Sequence, residues 1–102
     1  MRFLSGIRPT NLLHIGNYFG ALKQFVEFQK SHEGLIMIAD LHSLDTEQAP
    51  ADLRRNILRL TATYLAAGLD ADKNILFQQS AIPEHAELAW IFSSLMRMSE
   101  LE

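Results

Sequence analysis

Apolar residues along this chain come in two alternating forms, short continuous runs and longer stretches at helical spacing. Residues 3–7 are a short apolar start that gives way to Arg8-Pro9-Thr10, which predicts a strand followed by a loop. From Ile15 onward the apolar positions Ile15, Tyr18, Phe19, Leu22, Phe25 and Val26 follow i, i+3, i+4, i+7 spacing. That spacing predicts one buried face of a helix ending near Lys30, before the polar turn His32-Glu33-Gly34. "LIMIAD", residues 35–40, is unbroken by polar residues until Asp40, as in a strand buried on both faces. Polar residues fill 43–48, and Pro50 suits the first turn of a second helix with Leu53, Ile57, Leu60, Thr61 and Tyr64 inward. Arg54, Arg55 and Arg59 then form its solvated face, with a nucleic-acid contact as the other reading, and Gly68 is its stop. "NILFQQS", residues 74–80, predicts a third strand, and Pro83-Glu84 opens a third helix with Leu88, Ile91, Phe92 and Leu95 at helical spacing.

Strand and helix therefore alternate three times. This order implies parallel strands joined by crossovers, an α/β architecture, and specifically the first half of a Rossmann-like doubly wound sheet. No repeat or linker divides the sequence, so residues 1–102 are expected to form one unit. "MRMSELE" at the end continues a helical pattern without a stop signal, and three strands are about half of a doubly wound sheet. The unit is thus expected to be incomplete. If the first strand is central in the whole sheet, it carries a bare edge here.

Composition narrows this picture without redirecting it. Hydrophobic residues at 48% and charged ones at 21% fit a folded globular protein rather than a disordered one. A net charge of −3 gives no overall basic field toward nucleic acid or anionic lipid, so any such contact is local. The chain has no cysteine, which removes disulfides and thiolate metal sites. No apolar run suits a signal peptide or a membrane span, and a cytoplasmic location with no membrane partner is expected.

The chemistry concentrates in "SGIRPTNLLHIGNYFGAL", residues 5–22. In open α/β sheets ligands bind beyond the C-terminal ends of the strands, where this stretch is expected to lie. A helix starting near Gly16-Asn17 offers unpaired N–H groups suited to phosphate, and Gly16 lets a flat ring or a phosphate approach the backbone. His14 and Asn17 can donate to phosphate oxygens, and Arg8 adds a fixed charge. The stretch is neither a P-loop nor a G-x-G-x-x-G turn. By spacing alone, two readings stand: a nucleotide site, or a plain strand-turn-helix whose polar residues cap and solubilise.

"HIGN", preceded by "SGIRPT" and followed by "YFGAL", resembles the HIGH-type signature of class I aminoacyl-tRNA synthetases, and more narrowly that of the tryptophanyl-tRNA synthetase family. "IADLHSL", "LRRNILRLTATYLAAGLD" and "LFQQSAIPEHAELAW" extend the likeness in order over nearly the whole chain. The resemblance implies an enzyme that joins tryptophan to ATP, giving tryptophanyl-adenylate and pyrophosphate, and then passes the aminoacyl group to tRNA(Trp). It implies that Arg8, Pro9 and Thr10 line the ATP site, that Gly16 and Asn17 lie against adenosine and phosphates, and that His14 helps hold the phosphates. His14 and Asn17 would be the catalytic pair. Leu4, Ser5 and His42 would border the tryptophan pocket. The carboxylate is already a nucleophile, so catalysis rests on alignment and charge stabilisation. Magnesium is the companion ion, held mainly by ATP oxygens. The family also implies a homodimer.

Two positions depart from the family pattern. Asn17 stands where many HIGH signatures have a second His, and Asn11 occupies a turn position where Gly is common. Relatives are also longer, with a KMSKS-type loop, an acidic residue for the indole nitrogen and a helical tRNA-binding domain, and no such loop occurs here. The expectation is an N-terminal fragment with weak or no activity of its own. A tyrosine enzyme and a small nucleotidyltransferase share the signature. A non-catalytic nucleotide-binding fragment is the reading from another class.

Other polar groups have plainer readings. His42, Asp40 and Asp45 lack a further His or Cys to complete a metal site, and no metal ligands are assigned. Gln78, Gln79 and Ser80 end the third strand at the same sheet edge and read as a satisfied loop, with a ligand-facing position as the alternative. Trp90, Phe92 and Met96 read as core or helix-packing residues, or as part of a subunit interface in the whole enzyme. His32 and His85 suggest no chemistry, and His85 is expected to be exposed.

Overall fold

In the computed structural model, which describes residues 1–10, 16 and 18–100, three strands and three helices alternate as the sequence pattern requires. Strand β1 is Arg2–Ile7; a π-helical turn, Tyr18–Leu22, runs into α1, Lys23–Phe28; and β2 is Glu33–Ile38. A 3-10 turn, Leu41–Asp45, precedes α2, Pro50–Ala66, then β3, Ile75–Gln78, a second 3-10 turn, Gln79–Ala81, and α3, Glu84–Leu95. The strands form one parallel sheet in the order β1-β2-β3. Among the described residues β1 pairs only with β2, so its other edge is bare. Ile7, Ile38 and Gln78 lie side by side, so all three strands end level.

The sheet is covered on one face. Ile36 and Ile38 of β2 pack in one cluster with Leu22 and Phe25 from the first helical segment, Leu60 and Tyr64 from α2, and Leu69. Phe3, Ile7 and Leu76 join from the same face of the flanking strands. The opposite face carries Leu4, 58% exposed, and Ile75, 50% exposed. The expectation of a strand buried on both faces is corrected accordingly: β2 alternates between buried and half-buried positions. The physical reason is that α1 and α2 share one face, and successive side chains of a strand point to opposite sides.

Local chemistry fixes the ends of these elements. Pro50 occupies the first turn of α2, and the fully buried Tyr64 donates its hydroxyl to the Met37 carbonyl at 3.2 Å. Burial pushes the Tyr64 phenol upward, so it stays a donor. Gly68 follows with φ +109°, a left-handed conformation that glycine adopts without strain. At the N-terminal end of the sheet, Gln29 joins α1 to the chain entering β3: its Nε2 donates to the Gly68 carbonyl at 2.8 Å. Its Oε1 accepts from Asn74 Nδ2 at 2.7 Å and Asp70 N–H at 3.0 Å. Asn74 in turn accepts from the Gly34 N–H at 3.1 Å.

Two expectations about helices change. The first helix begins in π-helical rather than α-helical form over Tyr18–Leu22 and ends at Phe28 rather than Lys30. Helix α3 has no buried residue: Trp90 is 76% exposed, and Phe92, Leu95 and Met96 are also exposed. They are not core, because among the described residues no fourth strand lies beneath the helix that follows β3. His85 is half-buried, with its ring edge-on to Phe77 at 6.2 Å, because the first turn of α3 folds back over β3.

Candidate functional site

The level strand ends deliver three loops to one edge. Residues 8–10 leave β1, residues 39–45 leave β2, and residues 79–81 leave β3. This is the edge where open α/β sheets bind ligands. His14 and Asn17, expected as the catalytic pair, lie outside the described residues, as does Asn11; Gly16 is described and is helical.

The β1 loop is held from two sides. Arg8 is exposed, and its guanidinium meets Asp45 at 3.1 Å. Pro9 is fully buried, and the Thr10 carbonyl accepts from Asn56 Nδ2 of α2 at 3.0 Å. The same Asn56 amide reaches Gln48 Oε1 at 3.3 Å. Thr10, Gln48, Asn56, Arg55 and Arg59 border a polar cleft of about 310 Å³. Two of the arginines read as a solvated face thus line a cleft next to the loop, with Arg55 paired to Asp52 at 2.7 Å.

Within β1 itself, the structure separates two residues that sequence reasoning grouped. Leu4 pairs with Leu35 on the open face, and Ser5 pairs with Ile36 on the covered face. Their side chains do not meet. Gly6 matters in a way the sequence did not signal: a Cβ there would collide with the Met37 carbonyl, so a side chain would force β1 away from β2.

The ends of β2 and β3 are joined by Asp40, a buried carboxylate. It caps the 3-10 turn that carries His42, accepting from the Leu41 N–H at 3.0 Å. It also accepts from the Ser80 N–H at 2.9 Å, the Gln78 side-chain amide at 2.7 Å and the Ser80 hydroxyl at 2.5 Å. Burial works against the charge on Asp40, but these hydrogen bonds from Ser80, Gln78 and Leu41 outweigh it and hold the carboxyl below the usual carboxylate range. Between the two clamped segments, a ring nitrogen of His42 lies 3.1 Å from Gln79 Oε1. Both residues border an apolar cleft of about 430 Å³ under α3, with Leu41, His85, Ala89 and Trp90. Asp40 and Asp45 are thus engaged in hydrogen bonds and an ion pair, and among the described residues no group of three His, Cys, Asp or Glu side chains could hold a metal.

A family model described as "tRNA synthetases class I (W and Y)" matches residues 1–102. The chain belongs to this family.

Among its relatives are tryptophan–tRNA ligases from Fusobacterium nucleatum, 48% identical over 99% of the chain, and Streptomyces avermitilis, 50% identical over 97%. The chain spans 31% and 30% of their respective lengths. Two solved tryptophanyl-tRNA synthetases share the fold. That of Mycoplasma pneumoniae superposes with a TM-score of 0.92 at 35% identity, over 98% of this chain and 30% of its own. That of Campylobacter jejuni, complexed with ADP and tryptophan, does so with a TM-score of 0.88 at 39% identity, over 97% of this chain and 31% of its own. The Rossmann-like half-sheet expected from the alternating pattern thus matches part of the fold of tryptophanyl-tRNA synthetases.

Proposed function

We propose that this chain forms part of the catalytic domain of a tryptophan–tRNA ligase, which activates tryptophan with ATP and passes it to tRNA(Trp). The observation that carries this reading is the family match over every residue of the chain, joined to relatives named as tryptophan–tRNA ligases at 48% and 50% identity. In this reading Arg8, Pro9 and Thr10 border ATP, Gly16 and Asn17 lie against adenosine and phosphates, and His14 steadies the phosphates. His42, Leu4 and Ser5 form the amino-acid side. The tryptophan carboxylate attacks the α-phosphorus and pyrophosphate leaves, so the chain's own groups align reactants and offset charge rather than remove a proton. Magnesium accompanies ATP on its phosphate oxygens.

The ADP and tryptophan held by the Campylobacter relative support both ligands. Transfer to tRNA(Trp), a cytoplasmic location and a homodimer belong to the same reading. Among the described residues no helix is long and apolar enough to cross a membrane, and the exposed apolar residues of α3 are compatible with a covered face in a dimer.

Calorimetric titration with ATP and magnesium, followed by tryptophan, tests the site. Gly16→Val is the control, with its folding checked by circular dichroism. ATP binding that the folded variant loses supports a nucleotide cradle in the opening segment. A folded chain that binds neither ligand overturns a self-sufficient cradle in these residues and assigns the affinity to the larger part of the relatives' length, which the chain does not span.

A further inference from the structure

His42 and Gln79 come from loops 37 residues apart in sequence, yet their side chains meet at 3.1 Å. Neither loop is regular enough to fix such a pair by its backbone alone: each is a short 3-10 turn, of five and three residues. What the two turns share is Asp40. One of its oxygens accepts from the Leu41 N–H at the start of the His42 turn and from the Ser80 N–H beyond Gln79. The other accepts from the Gln78 amide and the Ser80 hydroxyl, the residues on either side of Gln79. Ser43 closes the first turn by donating its hydroxyl to the Asp40 carbonyl at 2.6 Å. Four donors converge on one buried carboxylate, from the residue before His42 and from both neighbours of Gln79.

We infer that Asp40 is a positioning residue that sets His42 against Gln79 and thereby fixes the polar floor of the cleft under α3. It touches no proposed ligand itself. The consequence for tryptophan rests on the proposed function, in which His42 lies on the amino-acid side. A His42 ring held by Gln79 meets its ligand in one orientation, whereas a released ring must be ordered on binding, which weakens affinity. Asp40→Asn keeps the size of the side chain but replaces one acceptor oxygen with a donor facing the Ser80 hydroxyl and the Gln78 amide. Ser80→Ala removes one hydroxyl donor and leaves the charge in place.

The test uses the 102-residue chain in solution. Nuclear Overhauser contacts between the His42 ring protons and the Gln79 side-chain amide report the pair, and titration with L-tryptophan reports its use. Wild type is expected to show the contact and a saturable shift of the His42 ring. Folded Asp40→Asn is expected to lose the contact and to bind tryptophan about tenfold more weakly, the cost of one hydrogen bond to a charged group. Ser80→Ala shifts both readouts in the same direction, and it decides alone if Asp40→Asn does not fold. A contact missing from wild type, or kept in a folded variant, overturns the positioning role. A contact that behaves as expected while tryptophan binds, shifting other resonances of the chain, and leaves the His42 ring unmoved upholds positioning and overturns the assignment of His42 to the substrate.

Discussion

On the face of the sheet that carries α1 and α2, Ile36 and Tyr64 are fully buried; on the other face Leu4 and Ile75 are at least half exposed. Both faces come from the same strands, and neighbouring residues of β1 belong to different ones. The difference teaches that stability and association are divided between alternate positions of one strand. The covered face holds the fold together, and the open face, with α3 beside it, supplies apolar surface that the described residues leave uncovered.

Four substitutions break or sharpen this contrast. Ile36→Ala removes a fully buried side chain on the covered face and is expected to cost about 2–5 kcal/mol in urea denaturation. A loss below 1 kcal/mol would mean that the covered face is not the core. Asp40→Asn tests whether the polar rim rivals it, with an expected loss of about 1.5–3 kcal/mol at neutral pH, in the range of hydrogen bonds to a charged group. The Asp40 carboxyl is held below its ordinary value of 3.8 in the fold, so its contribution is complete above that value and fades as pH falls through the lower, folded one. Urea melts from pH 7 down to pH 2 are therefore expected to bring wild type and Asp40→Asn together at the acid end. A constant gap would assign the effect to shape rather than charge.

Gly6→Ala refines the contrast, because Gly6 pairs with Met37 on the open face and yet has no room for a Cβ. It is expected to cost about 1–3 kcal/mol, as overpacking does, with faster amide exchange along β1. Leu4→Ala, two residues away on the same open face, is expected to change stability by less than about 0.5 kcal/mol by the same denaturation measurement. A large loss there would show that the open face is covered in solution.

The sequence made the alternation of elements legible because runs and helical spacing are local signals. Leu53, Ile57, Leu60, Thr61 and Tyr64 do point inward from α2, and Arg54, Arg55 and Arg59 are exposed. The face to which each crossover returns is not local, so the burial of β2 was legible only as "apolar". The exposure of α3 depends on what lies beneath it, which no spacing within the helix reports. At the site, the loop after β1 was legible from its turn chemistry and from the family signature. Asp40 was not, because its partners Gln78 and Ser80 lie at the end of another strand and in the turn that follows it. The available signal was that "DLH" ends one predicted parallel strand and "QQS" ends another, which brings the two to one edge.

Parallel strands have no hairpin to dictate how far one slides past the next. The apolar pattern rejects a slip of one residue, which would turn every side chain to the wrong face, but it is blind to a slip of two. At the N-terminal end Asn74 grips the Gly34 N–H, and at the C-terminal end Asp40 grips Ser80 and Gln78. Sliding β3 by two residues would tear both grips at once, taking three of the four donors from the buried Asp40 carboxylate and the Gly34 N–H from the buried Asn74 side chain. The two ends therefore act as a ruler for the chain, reading a length that its hydrophobic residues cannot measure.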